Sequence, residues 1–366
     1  MRTTAPLRQC ASTILRTLKA AQLQRIAQST GIKSSGTKPV IVDRLETELA
    51  QCEYSALLSP PPQGVAAQPR RMSILSIDMG IRNLAFAHLL VSPPSPAPSI
   101  PGNPPPKPQI TLNAWRRLSI PELDNQTSWT SPPPLSPGSD THPSPKPENQ
   151  EEDPFSPARY ARHAYTLLIT LLTLYRPTHV LIERQRFRSG GAAAVQEWTI
   201  RVGVFEGMLY AVLYALRRER ERGGSAAAVV VPRVWGVEPA RVSRFCLAES
   251  PPKKKRKSTR EVKNMKMDRV GNWLRNATSL LHRGRQGRLA VADEAELHSW
   301  VEAYLAKWEG KQGARQRTTP PDGGAAAPDI GKLDDLADCL VQGVTWLEWQ
   351  VMRHRLVADP GLLAKV

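Results

Sequence analysis

The sequence predicts an α/β protein: a mixed five-stranded sheet, three strands antiparallel and the rest parallel, flanked by helices. Three observations lead there. Short apolar runs of strand length begin at residue 72. From about residue 158, stretches with apolar residues at helical spacing alternate with further short apolar runs. The resulting order is three strands, helix, strand, helix, strand, helix.

Taken in turn, "MSILSIDMG" and "NLAFAHLLV" read as two strands around a glycine turn, and "QITLNAWRRLSI" completes a meander. "ARYARHAYTLLITLLTLY" has helical periodicity and stops before Pro177, because proline disfavours helical geometry in the residue preceding it. "THVLIERQRF" is another buried strand, followed by a long helix in "AAAVQEWTIRVGVFEGMLYAVLYALRRER". "AAAVVVPRVW" supplies the next strand and "KLDDLADCLVQGVTWLEWQVMRH" the closing helix. Ahead of this domain, 10–50 read as a small helical unit, 1–9 as a possible targeting segment and 51–71 as a linker. The main domain spans 72–355, and 356–366 form a C-terminal tail. Segments near 92–109 and 121–157 are crowded with Pro and Ser, cannot build ladders or bury a core, and read as surface insertions. A third irregular region, near 250–325, mixes a basic cluster, some helical pattern and a Gly/Ala/Pro stretch.

The chain has 366 residues, with 50 Lys and Arg against 33 Asp and Glu, a formal net charge of +17. A protein this basic is suited to a polyanion, since Lys and Arg gain affinity by releasing counterions from phosphate backbones. No apolar run is expected to cross a membrane, and no small-molecule substrate is implied. The four cysteines, Cys10, Cys52, Cys246 and Cys339, form no CxxC pair, so neither a zinc site nor a redox dithiol is suggested. Arg2, Arg8, Arg16 and Lys19 precede the first acid, Asp43. That is the composition of a mitochondrial transit peptide, and equally of a basic DNA-binding module.

Acids mark the ends of core elements. Asp78 closes the first strand, Glu183 ends the fourth, and Asp334, Asp335 and Asp338 open the last helix, where spacings of three and four put side chains on one face. Such a group would repel itself unless cations lay between its members. Oxygen donors without His or Cys suit Mg2+ or Mn2+. Taken singly, each acid has another use: Asp334 and Asp335 at a helix N-terminus, Glu183 beside Arg184 or Arg186, Asp78 in a turn.

"IDMGIRNLAF", "LIERQRFRSG" and "DDLADCL" together resemble the fungal mitochondrial Holliday-junction resolvases, relatives of bacterial RuvC within the ribonuclease H-like nucleases. The resemblance covers roughly 72–91, 158–247 and 331–350. It implies that Asp78, Glu183, Asp335 and Asp338 are metal-binding catalytic acids, with Asp334 competing for one of the places. It further implies two Mg2+ ions per site, with Mn2+ substituting, and a homodimer that nicks four-way junction DNA, leaving 5′-phosphate and 3′-hydroxyl ends. The long helices around 160–175 and 192–216 could supply the dimer surface or be buried within one core. Arg184, Arg186 and Arg188 alternate and, with Gln185, are assigned to the DNA backbone, because guanidinium groups suit phosphate oxygens. Arg82 and Asn83 are further contact candidates.

"LKAAQLQRIAQSTGIKSSGTKPVIVDRLETELA" resembles a SAP motif, a small helical DNA-binding module, and carries over Gly36, Thr37 and Lys38 at the turn with Lys33 nearby. "PPKKKRKSTR" has two meanings. Lys253, Lys254, Lys255, Arg256 and Lys257 can contact phosphate within an insertion or act as a nuclear localisation signal. The resemblance favours DNA contact and a mitochondrial setting.

Overall fold

Strand β1 (Met72–Asp78) is apolar almost throughout and buried at every position but its last, as a central strand covered on both faces must be. It belongs to a computed structural model that describes residues 5–58, 71–94, 107–125, 153, 155–185, 197–223, 231–248, 258–279, 288–312, 328 and 330–365. β1 pairs antiparallel with β2 (Leu84–Ser92), which pairs antiparallel with β3 (Gln109–Leu118). On its other side β1 runs parallel to β4 (His179–Glu183), and β4 runs parallel to β5 (Arg233–Val237). The expected meander followed by parallel strands is therefore present.

Two expectations need correcting. The sheet has six strands, in the order β5-β4-β1-β2-β3-β6, because Ala290–Val291 (β6) adds a short parallel edge to β3. Two residues are too few to leave a periodic signal, and they lie in the region read as an insertion. Among the described residues β5 also begins at Arg233, where the expected strand already included Val231 and Pro232. Pro232 has no N–H to donate to the ladder, so pairing starts after it; residues 226–230 lie outside the described set.

Alternation along the strands divides the core. Ile74, Ala85, Leu89 and Leu181 face one layer with α7 (Pro239–Ala248), α8 (Thr259–Thr278), α9 (Ala295–Gln312) and α10 (Leu333–Ala358). Leu75, Ile77, Phe86, Val180 and Ile182 face the other, against α5 (Pro157–Tyr175) and α6 (Glu197–Glu221). α5 ends on Arg176 in the left-handed region (φ 43°), immediately before Pro177. α8 opens on a capping box, Ser258 with Glu261, each side chain accepting from the other's backbone N–H. Much of the 250–325 region is thus built into the layer that covers the sheet.

A third correction concerns α6. By length and composition its 25 residues suffice to cross a bilayer, although no such run was expected. One face packs on α5 through Val202, Phe205, Leu209 and Leu213. Trp198, Ile200, Val204 and Tyr214 are exposed, as are Tyr165 and Leu174 on α5. These helices are both core and an uncovered apolar surface.

The N-terminal unit consists of α1 (Ala5–Thr17), α2 (Ala20–Ser29) and α3 (Lys38–Glu48). Leu15, Leu23, Ile26, Ile41 and Leu45 form its core together with Leu356 of α10 and Leu363 of the 3-10 turn that follows. The segment expected as a tail therefore completes the module's core. Gly31 (φ +66°) lies against the Trp349 ring so closely that a Cβ there would come within 2.2 Å of it. Arg353, 5% exposed, donates to the backbone oxygens of Thr30, Glu48 and Gln51. Within the expected linker, α4 (Tyr54–Leu58) buries Tyr54 and Leu57. Glu53 there accepts from His179 at 3.3 Å and pairs with Arg233, fastening the linker to the N-terminal ends of β4 and β5.

Candidate active site

Register brings the first two acids together. Ile77 of β1 pairs with Ile182 of the parallel β4, so the next residues, Asp78 and Glu183, stand side by side at the same edge of the sheet. Their carboxyls are close enough for each to act on the other's charge. Burial, and then the neighbouring Glu183, push the Asp78 carboxyl well above the usual carboxylate range, with Asp338 and Asp335 adding to the effect. Glu183 also accepts from the backbone N–H of Met79 at 3.3 Å. The turn after Asp78 is tight at Gly80, where a Cβ would meet the Asn83 carbonyl oxygen at 2.9 Å.

α10 brings the remaining acids over the sheet edge. It approaches β1 closely at Gly343, where a Cβ would lie 2.8 Å from Leu89 and 3.2 Å from Ser76. Gln342 donates to Ser76 Oγ and to the Ile77 carbonyl oxygen, each at 3.1 Å, and Trp115 Nε1 donates to the Leu336 carbonyl oxygen at 3.0 Å. These contacts fix the face carrying Asp335 and Asp338 toward Asp78. Burial, and then the adjacent Asp334, raise the Asp335 carboxyl to about 6, against the opposing pull of Arg117 and Lys332. Asp335 Oδ2 is buried without a hydrogen-bond partner, and Arg117 Nε, 3.9 Å away and equally unsatisfied, is too distant to serve.

α8 supplies two cations the sequence reading missed. Lys266, 7% exposed, pairs with Asp338 at 2.9 Å; burial works to lower its pKa, but Asp338 outweighs it and the ammonium is held charged. One turn earlier, Lys263 donates to Asp334 at 2.6 Å. Burial of Asp334 is overcome by that bond, and its carboxyl is held below the usual range. Asp334 therefore faces Lys263, while Asp335 and Asp338 face Asp78. Arg117 and Gln342 were also missed: Arg117 donates to the Asn83 side chain and so spans from that turn to Asp335. The Ser258-x-x-Glu261 spacing marks where α8 starts but carries no signal of its packing against α10.

Among the described residues, no three His, Cys, Asp or Glu side chains close around a point tightly enough to cage an ion. The quartet is gathered but open, with Asp338 turned to Lys266 and Asp78 to Glu183. The donors nevertheless fit a hard divalent cation. All are carboxylate oxygens, the buried Asp335 Oδ2 lacks any donor, and burial together with Glu183 disfavours the charged form of Asp78, a cost that a cation would relieve.

The expected DNA contacts are placed unevenly. Arg184 is exposed, with its stem against Gly236 and Tyr210, and its backbone N–H bonds Val237. Gln185 faces inward, donating from its backbone to Glu206 at 2.9 Å and from its side chain to the Met79 carbonyl oxygen at 3.4 Å. Arg82 is exposed, with its guanidinium 5.5 Å from the Trp198 ring centre and 6.0 Å from that of Phe155. Arg186, Arg188 and Lys253, Lys254, Lys255, Arg256 and Lys257 lie outside the described residues. In the N-terminal unit, Lys33, Gly36 (φ +126°), Thr37 and Lys38 are exposed on one turn leading into α3. Arg44, which sequence reading also missed, braces that turn by donating to the backbone oxygens of Lys33 and Ser35.

Residues 74–356 match the family described as Mitochondrial resolvase Ydc2 / RNA splicing MRS1, and residues 14–50 match the SAP domain. The chain is similar to Cruciform cutting endonuclease 1, mitochondrial, of Schizosaccharomyces pombe, with 27% identity over 203 residues. The match takes in 55% of this chain and 58% of that relative, so the chain spans less than two thirds of its length. In three dimensions it is similar to the crystal structure of the yeast mitochondrial Holliday junction resolvase Ydc2. The TM-score is 0.51 at 21% identity, covering 95% of this chain and 99% of that one. At that identity the likeness establishes a common fold.

Proposed function

From its membership of the Mitochondrial resolvase Ydc2 / RNA splicing MRS1 family, to which this chain belongs, we propose that it is a metal-dependent endonuclease of ribonuclease H-like fold. Its substrate is four-way DNA junctions, which it resolves in mitochondria. One observation carries the reading: four carboxylates from three separate elements gather at one sheet edge in a protein of net charge +17. A protein that only bound nucleic acid would gain nothing from acids that repel both one another and the strand.

Asp78, Glu183, Asp335 and Asp338 would hold the ions, Mg2+ with Mn2+ substituting, two per site. Bound there, such ions supply water activation and charge neutralisation on the leaving 3′ oxygen of a phosphodiester, the chemistry that leaves 5′-phosphate and 3′-hydroxyl ends. The chain's own residues prepare this. The β1–β4 register holds Asp78 against Glu183, Gln342 anchors α10 over β1, and Lys266 balances Asp338. Arg184 and the SAP turn contribute phosphate contacts that set position without reading sequence. Dimerisation fits a substrate with two equivalent strands to nick, and the exposed apolar side chains of α5 and α6 support that surface. The basic N-terminus supports mitochondrial delivery over the nuclear alternative offered by 253–257.

The test compares the parent with Asp78→Asn on a synthetic four-way junction, an RNA–DNA hybrid and a linear duplex, with and without Mg2+. The parent should nick only the junction, in paired fashion and only with the ion, while the variant binds the junction and leaves it intact. Cleavage of the hybrid with the junction spared would overturn the substrate assignment. Nicking by the variant at the parent's rate would overturn the site.

A further inference from the structure

A cavity of about 660 Å³ opens between α8, α9 and the start of α10, lined by Arg260, Lys263, Asn264, Trp308, Lys332 and Asp334 among others. Its size suits a nucleotide unit. Arg260, Lys263 and Lys332 are exposed and face the same space. The two acids on its wall already have partners: Asp334 accepts from Lys263, and Asp268 accepts from Trp308 Nε1 at 3.0 Å. α10 begins here, and its N-cap Lys332 makes no side-chain cap, so the positive end of a 26-residue helix adds to the same field. Along α10, Asp334 on the cavity wall and Asp338 in the acid quartet are four residues apart, about 6 Å by helical rise.

We propose that this cavity, one helical turn of α10 from the acid quartet, is a phosphate subsite that holds the backbone phosphates of the DNA strand near the scissile bond through Arg260 and Lys332. The inference rests on the nuclease reading above and adds to it a binding surface built by α8, from a region that the sequence presents as an insertion. Cations placed here solve a problem the quartet creates. Four carboxylates repel the strand they must cut, and flanking guanidinium and ammonium groups restore attraction within one helical turn of them.

The experiment measures binding of a fluorescent four-way junction in EDTA between 50 and 200 mM salt, for the parent and for a variant carrying Arg260→Ala and Lys332→Ala. Both side chains are exposed, and matching thermal unfolding curves confirm that the variant is folded. Two lost phosphate contacts should flatten the slope of log affinity against log salt by about 1.8, so the loss in affinity should be roughly tenfold greater at 50 mM than at 200 mM. A control variant, Arg217→Ala with Arg220→Ala at the exposed end of α6, removes the same charge and should leave the slope unchanged. An unaltered slope for the cavity variant, or an equal change in the control, overturns the subsite. Junction nicking by the same parent preparation in Mg2+ keeps that failure distinct from failure of the nuclease reading, whereas a parent that neither binds nor cuts junctions overturns both.

Discussion

Replacing Asp335 by Asn should stabilise the protein without metal and destabilise it, relative to the parent, with metal. The carboxyl is raised from an ordinary 3.8 to about 6 by burial and by Asp334. A group whose folded pKa lies above its unfolded value binds a proton more tightly when folded. Its contribution is therefore fully present below about pH 4 and is lost as pH rises through 6. At about 1.36 kcal/mol per tenfold, the ceiling on this cost at pH 8 is about 3 kcal/mol. The side chain is 21% exposed and Arg117 stands 3.9 Å away, so screening reduces the figure to about 1–2 kcal/mol. Asp335→Asn removes that cost. In EDTA at pH 8 its unfolding midpoint should exceed the parent's by roughly 1–3 °C, and the difference should vanish near pH 4. Saturating Mn2+ should reverse the order, because an ion bound only by the folded state stabilises in proportion to its affinity. Thermal unfolding at both pH values, with and without Mn2+, is the assay. A variant no more stable than the parent at pH 8 in EDTA, or one that gains as much from Mn2+ as the parent, would refute the reasoning.

Other consequences follow from the packing around the quartet. Lys266→Ala leaves Asp338 without its buried partner and should cost about 2–3 kcal/mol in EDTA, with much of the loss recovered in Mn2+, as read by urea unfolding. Gly31→Ala forces a Cβ into the Trp349 ring at a left-handed backbone position. It should cost about 2 kcal/mol or more and weaken junction binding more than cleavage of bound substrate. On the dimer proposed above, Val204→Arg, which places a charge on the exposed apolar face of α6, should shift the protein to monomer in sedimentation velocity at an unchanged unfolding temperature.

Strands β1 to β4 and the two long helices were legible because each carries one unbroken apolar or periodic signal, which the two-residue β6 lacks. β1 and β4 are apolar runs ending in an acid, and α10 keeps its apolar stripe over 26 residues. Their register was not written locally, yet it is what sets Asp78 beside Glu183. Sequence spacing treated Asp334, Asp335 and Asp338 alike, since i+3 and i+4 both share a face. What separates them is their position relative to Asp78, on which Asp335 and Asp338 act; α8 then pairs Lys263 with Asp334 and Lys266 with Asp338. Those lysines were hidden in a region whose basic and Gly/Ala/Pro stretches mask the helical pattern between them. The docking of the N-terminal unit was equally silent, because Leu356, Leu363 and Trp349 read as ordinary apolar residues of a terminal helix and tail until Gly31 and the α1–α3 core are set against them.

The account depends on carboxylates from β1, β4 and α10 sharing divalent cations. Anomalous scattering from crystals soaked in Mn2+ tests this most directly. The expected map has Mn2+ peaks coordinated by Asp78, Glu183, Asp335 and Asp338, with Lys266 withdrawn from Asp338. Crystals in which Lys266 keeps its pair and no peak lies among the four acids would contradict it.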